Sequence, residues 1–484
     1  MITEKYDVIV VGTGFASSFF LSRFLARAPA GARVLVLERG EKRPHRWQLE
    51  DGRSGRRLMQ REARASFVNA SPEKVWAFLL GHGGSSNCWF GNTPRMLPED
   101  FRMRSLYGVG EDWPVGYEEL EEYYCDVEEA MAIAGPSNDS PFPRSRPYPQ
   151  PPHRLSDVDR LFKRAFPGAF FPLPSARPTV ATSRRPVCCA NGVCMLCPID
   201  SKFTVENELF HVYEDPRVTL RYGATVQQVE VEGGRTATGV RFLEAEAERT
   251  VKGDMVVLGA NAFFNPHILL RSGLSHPELG TGLVEQAAKI VRVDLDGVDN
   301  FQGSTIATGH GYMLYGGEHR RERAAALIET SNRPDLRNGR GKWRQVVLLR
   351  VVYEDLRQRE NTVTVDPDDP RRPRVTFTGH SDYAQRGFDA LPSELERLLA
   401  PLPVERILVP SQPVDTESHI LGTTPMGNDP ARSVVDRHLL HHQVRNLVVL
   451  GGSVFPTAAP ANPTLTLSAL AVRAADHVTG KAAA

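Results

Sequence analysis

DVIVVGTGFAS, Asp7 to Ser17, is the stretch whose reading decides the fold. Asp7 to Val11 is a short apolar run that reads as a strand, Gly12-Thr13-Gly14 as a tight turn, and Phe15 to Ala28 as a helix. Glycines let the backbone turn sharply and approach a pyrophosphate, whose charge sits among the unpaired amides of the helix N-terminus. Ser17 stands where a third Gly or Ala is usual. A second strand, Val34 to Leu37, ends on Glu38, near the ~20-residue spacing of an acid that binds a ribose hydroxyl. A glycine pair alone would fit an ordinary turn with a solvated Glu. Strand, glycines, helix, strand and terminal acid together predict an α/β, Rossmann-like dinucleotide-binding domain. FAD and NAD suit this fingerprint equally, so the cofactor is decided elsewhere in the chain.

Working outward, 484 residues at 41% hydrophobic can bury a large core and suggest two interleaved domains. Lys+Arg and Asp+Glu both number 58, which gives no reason to expect nucleic acid or an anionic membrane as partner. No apolar stretch approaches the ~20 residues that span a bilayer. The first strand follows almost at once on Met1, leaving no room for a signal peptide, so the expected location is cytoplasmic. Pro141 to Pro152 is rich in proline and reads as an extended connector.

Three further stretches carry chemistry. Gly81 to Asn92 (GHGGSSNCWFGN) is too rich in Gly, Ser and Asn to pack a core, but it can wrap a flat ligand with amides and hydroxyls. A flexible surface loop is the bland alternative, and Trp89 and Phe90 count against it. Near the C-terminus, His419 opens HILGTTPMG and Asn462 opens NPTLT. An imidazole and a carboxamide suit a base and a hydrogen-bonding partner held against one substrate hydroxyl. Cys188, Cys189, Cys194 and Cys197 form a compact group ending in Pro198. Its Cys-x-x-Cys-Pro end is compatible with zinc or an iron–sulfur cluster. The adjacent pair and the missing second Cys-x-x-Cys equally suit reduced thiols or a local disulfide. Cys125, on the amphipathic stretch Tyr117 to Ala134, reads as buried filling.

These residues resemble the glucose-methanol-choline (GMC) family of flavoprotein oxidoreductases. The resemblance runs through Gly12 to Ser17 with Glu38, Gly81 to Arg95, Ala224 to Val229, Gly259 to Gly273, and His419 to Asp476. Within the family the Gly-rich loop, leading through Trp89 to Thr93-Pro94-Arg95, is most similar to the pyranose 2-oxidase and sugar dehydrogenase branch. The resemblance implies FAD bound by a Rossmann-like domain of residues 1–95, 215–295 and 410–484. A substrate-binding cap of residues 96–214 and 296–409 would be built on a β-sheet capped by helices. It implies Gly12, Gly14, Phe15, Ala16 and Ser17 around the pyrophosphate, Glu38 and Arg39 at the adenosine ribose, and the Val226 backbone at the adenine. Gly84, Ser85, Asn87, Cys88, Trp89 and Asn92 would follow the ribityl chain and ring. Gly452, Ser453, Asn462, Pro463 and Thr464 would close over the pyrophosphate and pyrimidine edge. In several relatives a His before the Trp is linked to the flavin; Cys88 stands there, so FAD without a covalent bond is expected, a thioether being the alternative. Some relatives carry an iron–sulfur cluster, with wider cysteine spacing than here.

The resemblance makes His419 and Asn462 the catalytic pair and alcohol oxidation the activity, with oxygen or another electron acceptor. The alternatives are a nicotinamide-dependent reductase, which has no use for the Gly81–Asn92 loop, and a flavin electron-transfer subunit whose cysteines dock a partner. In the cap, Gln345 to Val352, Asn361 to Val365 and Arg374 to Thr378 read as strands. Ser381 to Leu399 reads as a helix that Pro392 splits in two. Asp415 and Glu417 precede His419; a pair of solvated carboxylates ahead of a strand is the favoured plain reading, while on an extended segment they would share its face and could receive a substrate amine. An amino sugar, as in aminoglycoside precursors, or a simple sugar is then the expected substrate. A homodimer is the default among oligomers.

Overall fold

The computed structural model of the chain describes residues 4–50, 55–136, 140–333 and 335–480. Lys5–Val11 is a strand, Phe15–Leu25 a helix and Val34–Leu37 the next strand. The helix stops short of the expected Ala28, which precedes Pro29, and a proline disfavours helical geometry in the residue before it. Val34–Leu37 is buried along its whole length, as expected of a parallel strand covered on both faces. Lys5–Val11 lies inside a seven-stranded sheet, parallel to Val34–Leu37 on one side and to the second half of Ala247–Leu258 on the other. Val218–Arg221 and Leu447–Val449 extend the parallel part. The meander Ala224–Glu232, Thr236–Glu244, Ala247–Leu258 completes it. Helices Phe15–Leu25, Thr464–Val478 and Tyr117–Met131 pack successively against one another. The carboxyl ends of the parallel strands, at Val11, Leu37 and Gly259, border one crevice, the usual ligand position in open α/β sheets.

A second, antiparallel sheet has the order Val404–Leu408, Ala287–Leu295, Val346–Tyr353, Ala326–Ser331, Ala307–Leu314, Phe170–Pro172. Alternation gives it two different faces. Val291, Val293, Ile328, Val347, Leu349 and Val351 form one core with Phe388, Leu391, Leu395 and Leu398 of helix Asp382–Leu399. Ile290, Glu329, Leu348 and Arg350 border the crevice from the other face. The helix therefore caps the sheet on the side away from the crevice. Pro392 does not split it: the apolar stripe held on the sheet outweighs the one backbone hydrogen bond that a proline removes.

Two details depart from the sequence expectation. Ala287–Leu295, expected with the first unit, is an inner strand of the second sheet, so the changeover precedes residue 287. Thr362–Val365 and Pro373–Thr376 form a separate small sheet with Val68–Asn69. Among the described residues no helix is long and apolar enough to cross a membrane.

Candidate active site

A cavity of about 660 Å³ is lined by residues of both sheets. On the first sheet's side stand Gly12, Gly14, Phe15, Ala16, Glu38, Arg39 and Val226, and the Gly-rich loop adds Gly84, Ser85, Cys88, Trp89 and Asn92. Gly12 has φ +89°, and a Cβ there would lie 2.7 Å from the Gly259 carbonyl oxygen. A Cβ on Gly14 would meet nothing within 4 Å, because this residue faces open cavity. No side chain caps the helix that Gly14 starts and its first turn carries no acid, so its amides are free to meet an anion. Ser17 lies behind the turn, its hydroxyl 3.4 Å from the Val11 carbonyl. A Cβ on Gly259 would sit 2.0 Å from that hydroxyl. The smallness missing at position 17 is supplied by Gly259 on the neighbouring strand end.

Glu38 is buried and already well used. Its Oε2 accepts from the Thr13 amide at 3.0 Å and the Thr13 hydroxyl at 2.7 Å; its Oε1 accepts from the amides of Gly40 at 2.9 Å and Gly81 at 3.1 Å. It thus ties the first glycine turn to the start of the Gly-rich loop. That loop contains one short 3-10 turn, Gly84–Asn87. Buried Lys202 donates to the carbonyls of Asn87 at 3.3 Å, Trp89 at 2.7 Å and Met195 at 3.0 Å, while the Trp89 indole donates to Phe203 at 2.7 Å and meets Phe15 edge-on. The loop is anchored from outside itself. The Asn87 side chain turns away to the His82 carbonyl at 2.8 Å and does not line the cavity. Burial pushes the Cys88 thiol up to about 12, so it stays protonated.

Gly452, Asn462, Pro463 and Thr464 border the cavity beside His419. Ser453 does not; its hydroxyl accepts from the Asn265 amide at 2.9 Å beneath the site. The His419 Nδ1 lies 2.5 Å from Gln286 Oε1. Gln286 Nε2 donates to the carbonyls of Ala459 and Ala461, the latter at 2.8 Å. With its nitrogen committed to two carbonyls, the Gln286 amide can only accept from His419, so Nδ1 carries the proton and Nε2 is left as an acceptor. Burial pushes the imidazole down to about 4, against the pull of Glu285 and Glu329, and the ring is neutral near pH 7. The preceding Ser418 has φ +62°, unusual for a residue with a side chain. Glu285 steadies this turn, accepting from the Thr416 hydroxyl at 2.6 Å and the Glu417 amide at 3.1 Å, and pairs with Lys74. Asn462 Oδ1 is buried with no hydrogen-bond partner among the described residues.

The two acids before His419 are separated. Glu417 lines the cavity, but its charge is answered by Arg350, and burial pushes its carboxyl up to about 7. Asp415 is not among the lining residues, and its carbonyl accepts from Lys74 at 3.0 Å. The four grouped cysteines are free thiols: Cys189 is exposed, Cys194 and Cys197 are buried, and Cys188 lies between these extremes. Among the described residues no group of three or more His, Cys, Asp or Glu side chains is arranged to hold a metal ion. The segment still touches the site, since Met195 lines the cavity. Gln286, Glu285, Glu329, Arg350 and Lys202 were not found in the sequence. The one available signal was the pair Glu285-Gln286, which stands between the apolar pairs Leu283-Val284 and Ala287-Ala288.

Comparison with known proteins agrees with this architecture. The chain is 25% identical to the fructose dehydrogenase large subunit of Gluconobacter japonicus, over 98% of this chain and 98% of that protein. It is 24% identical to 6'''-hydroxyparomomycin C oxidase of Streptomyces lividus, over 99% of this chain and 92% of that protein. The crystal structure of pyridoxine 4-oxidase from Mesorbium loti superposes with a TM-score of 0.66 at 18% identity, covering 98% of this chain and 99% of the other, a likeness of fold. Two family models, each described as GMC oxidoreductase, match residues 177–288 and 358–471 in their natural order. The chain is an oxidoreductase that carries matches to both the N- and C-terminal GMC oxidoreductase domains, a family whose members generally bind FAD.

Proposed function

We propose that this enzyme oxidises an alcohol group of a sugar or sugar-like polyol, with FAD held along the cavity and His419 as the base. One observation carries the proposal: the Gln286 amide, anchored on two carbonyls, leaves an unprotonated Nε2 on an imidazole that lines the cavity. The residues present suit FAD. The uncapped helix start at Gly14 suits a pyrophosphate, the orphaned Asn462 oxygen suits a polar ring edge or a substrate hydroxyl, and the anchored Gly-rich loop suits a flat ring. Glu38 would brace the ribose end, with Arg39 and Val226 beside it. Burial of a protonated Cys88 supports non-covalent binding. When bound, the flavin supplies the acceptor for the hydride lost from the alcohol carbon.

This chain's part is proton transfer and placement. His419 Nε2 would take the hydroxyl proton while Nδ1 stays hydrogen-bonded to Gln286, and Asn462 would orient the same hydroxyl. Positioned base catalysis contributes about 10²- to 10⁴-fold in rate. The names of the relatives, a fructose dehydrogenase and an aminoglycoside oxidase, support a sugar-like substrate.

The test is the visible spectrum of the purified protein under anaerobic titration with sugars, amino sugars and simple alcohols. Flavin bands that bleach with a sugar support the proposal, and His419→Ala should then keep the bands and lose most of the bleaching. Bands that no alcohol bleaches would favour an electron-transfer subunit. Extra broad absorption would mark a cluster at the cysteines.

A further inference from the structure

One part of the cavity is given no direct contact with dinucleotide or reacting hydroxyl by the function proposed above. Glu329 and Arg350 stand directly opposite each other on paired antiparallel strands and point from the same face into the cavity that His419 borders. Directly opposed residues hold their Cβ atoms about 5 Å apart, so the two polar heads address one small ligand together.

Each head is half used. Glu329 Oε1 accepts from Asn92 Nδ2 at 3.1 Å and His310 Nε2 at 3.3 Å, and among the described residues nothing donates to Oε2. Arg350 gives Nη1 to Glu417, and its Nε and Nη2 have no acceptor among the described residues. The floor beside them is apolar, with Ile290, Ile306 and Leu348. A carboxylate oxygen next to a guanidinium edge, above an apolar floor, offers an acceptor and a donor side by side. The groups that match both at once are neighbouring hydroxyls on a ring or chain carbon skeleton, one donating and one accepting. A substrate ammonium matches Glu329 alone and would sit beside the Arg350 charge.

We propose that Glu329 and Arg350 form a clamp for a vicinal diol, which makes the preferred substrate an uncharged polyhydroxylated sugar over its amino-substituted counterpart. The inference rests on the alcohol-oxidation proposal for its meaning, but the clamp is testable by binding alone. Neither residue touches the hydroxyl proton; both are specificity determinants.

The experiment uses the FAD-loaded full chain without an electron acceptor. Isothermal titration calorimetry measures binding of three probes: cis-1,2-cyclohexanediol, cyclohexanol and cis-2-aminocyclohexanol. A charge-assisted hydrogen bond on each side predicts about tenfold or more tighter binding of the diol than of cyclohexanol. Glu329→Ala and Arg350→Met should each cut that ratio to about 2-fold, and far-ultraviolet circular dichroism and flavin content show whether each variant has folded. Glu329→Gln keeps an acceptor and serves if Glu329→Ala fails to fold; it should keep part of the preference. Equal binding of diol and cyclohexanol by the unaltered enzyme overturns the clamp. So does tighter binding of the amino alcohol that Glu329→Gln abolishes, since Glu329 would then be an ammonium receptor. A diol preference in a protein whose flavin no sugar bleaches would leave the clamp standing and remove the oxidation proposal. Bleaching by sugars without any diol preference would do the reverse.

Discussion

At the scale of single residues, the site's chemistry turns on an amide. His419 and Asn462 were legible in the sequence because each opens a distinctive run. Gln286 was not, because its role exists only through contacts with Ala459, Ala461 and His419. Gln286→Leu removes the acceptor that fixes Nδ1–H, so either tautomer becomes accessible and the ring is no longer aimed. Flavin reduction measured by stopped flow should slow about tenfold or more, with FAD content unchanged. Gln286→Glu gives a sharper reading, since a carboxylate at Nδ1 favours the charged imidazole. The acid limb of the rate, set by an imidazole pushed down to about 4, should move to higher pH in that variant. A limb that stays in place would show that Gln286 does not govern His419.

At the scale of elements, the first strand, turn and helix were readable because their residues obey local rules: apolar strands, a glycine at positive φ, a helix start without a side-chain cap. Ser17 departs from the usual Gly or Ala, and Gly259 opposite compensates, which no local rule reveals. Strand Ala287–Leu295 pairs within the second sheet, which its sequence does not reveal because an apolar strand does not announce its sheet. Pro392 misled because the propensity of one residue lost to the packing of a whole stripe. The two glycines of the turn should behave differently on substitution. Gly12→Ala adds a Cβ in left-handed backbone and 2.7 Å from a carbonyl oxygen. It should lower the unfolding midpoint by several degrees and release FAD on gel filtration. Gly14→Ala adds a Cβ in ordinary backbone facing the cavity, so the midpoint of the FAD-free protein should hold while FAD affinity falls. Equal midpoint losses in both variants would contradict the assignment of Gly14 to a ligand-facing wall.

At the scale of the whole molecule, burial of neutral imidazoles ties the fold to pH. Burial pushes His82, His153, His267, His419, His438 and His441 each down to about 4. In the unfolded chain the same rings titrate near 6.5. Between those values the unfolded state binds more protons than the folded state, so stability rises with pH across that window and falls as pH drops through it. Three acids raised by burial act in the opposite sense: Glu417, raised to about 7, Asp100, raised to about 6, and Glu206 favour the fold while protonated and cost stability as pH rises. With His319, His442 and His477 also lowered by burial, the histidines outnumber these acids and stay in control. Equal numbers of basic and acidic side chains mean that acidification also gives the chain a growing positive charge, which adds repulsion in the same direction. The midpoint of thermal unfolding, followed by calorimetry from pH 7 to pH 4.5 at constant ionic strength, should therefore fall steadily and most steeply below about pH 6. His441→Asn keeps an acceptor for the Gln443 and Val444 amides without a titrating nitrogen and should flatten part of that slope. A midpoint that is level or rises on acidification would mean that these imidazoles are solvated in the fold, and the proposed base catalysis by a neutral His419 would lose its physical ground.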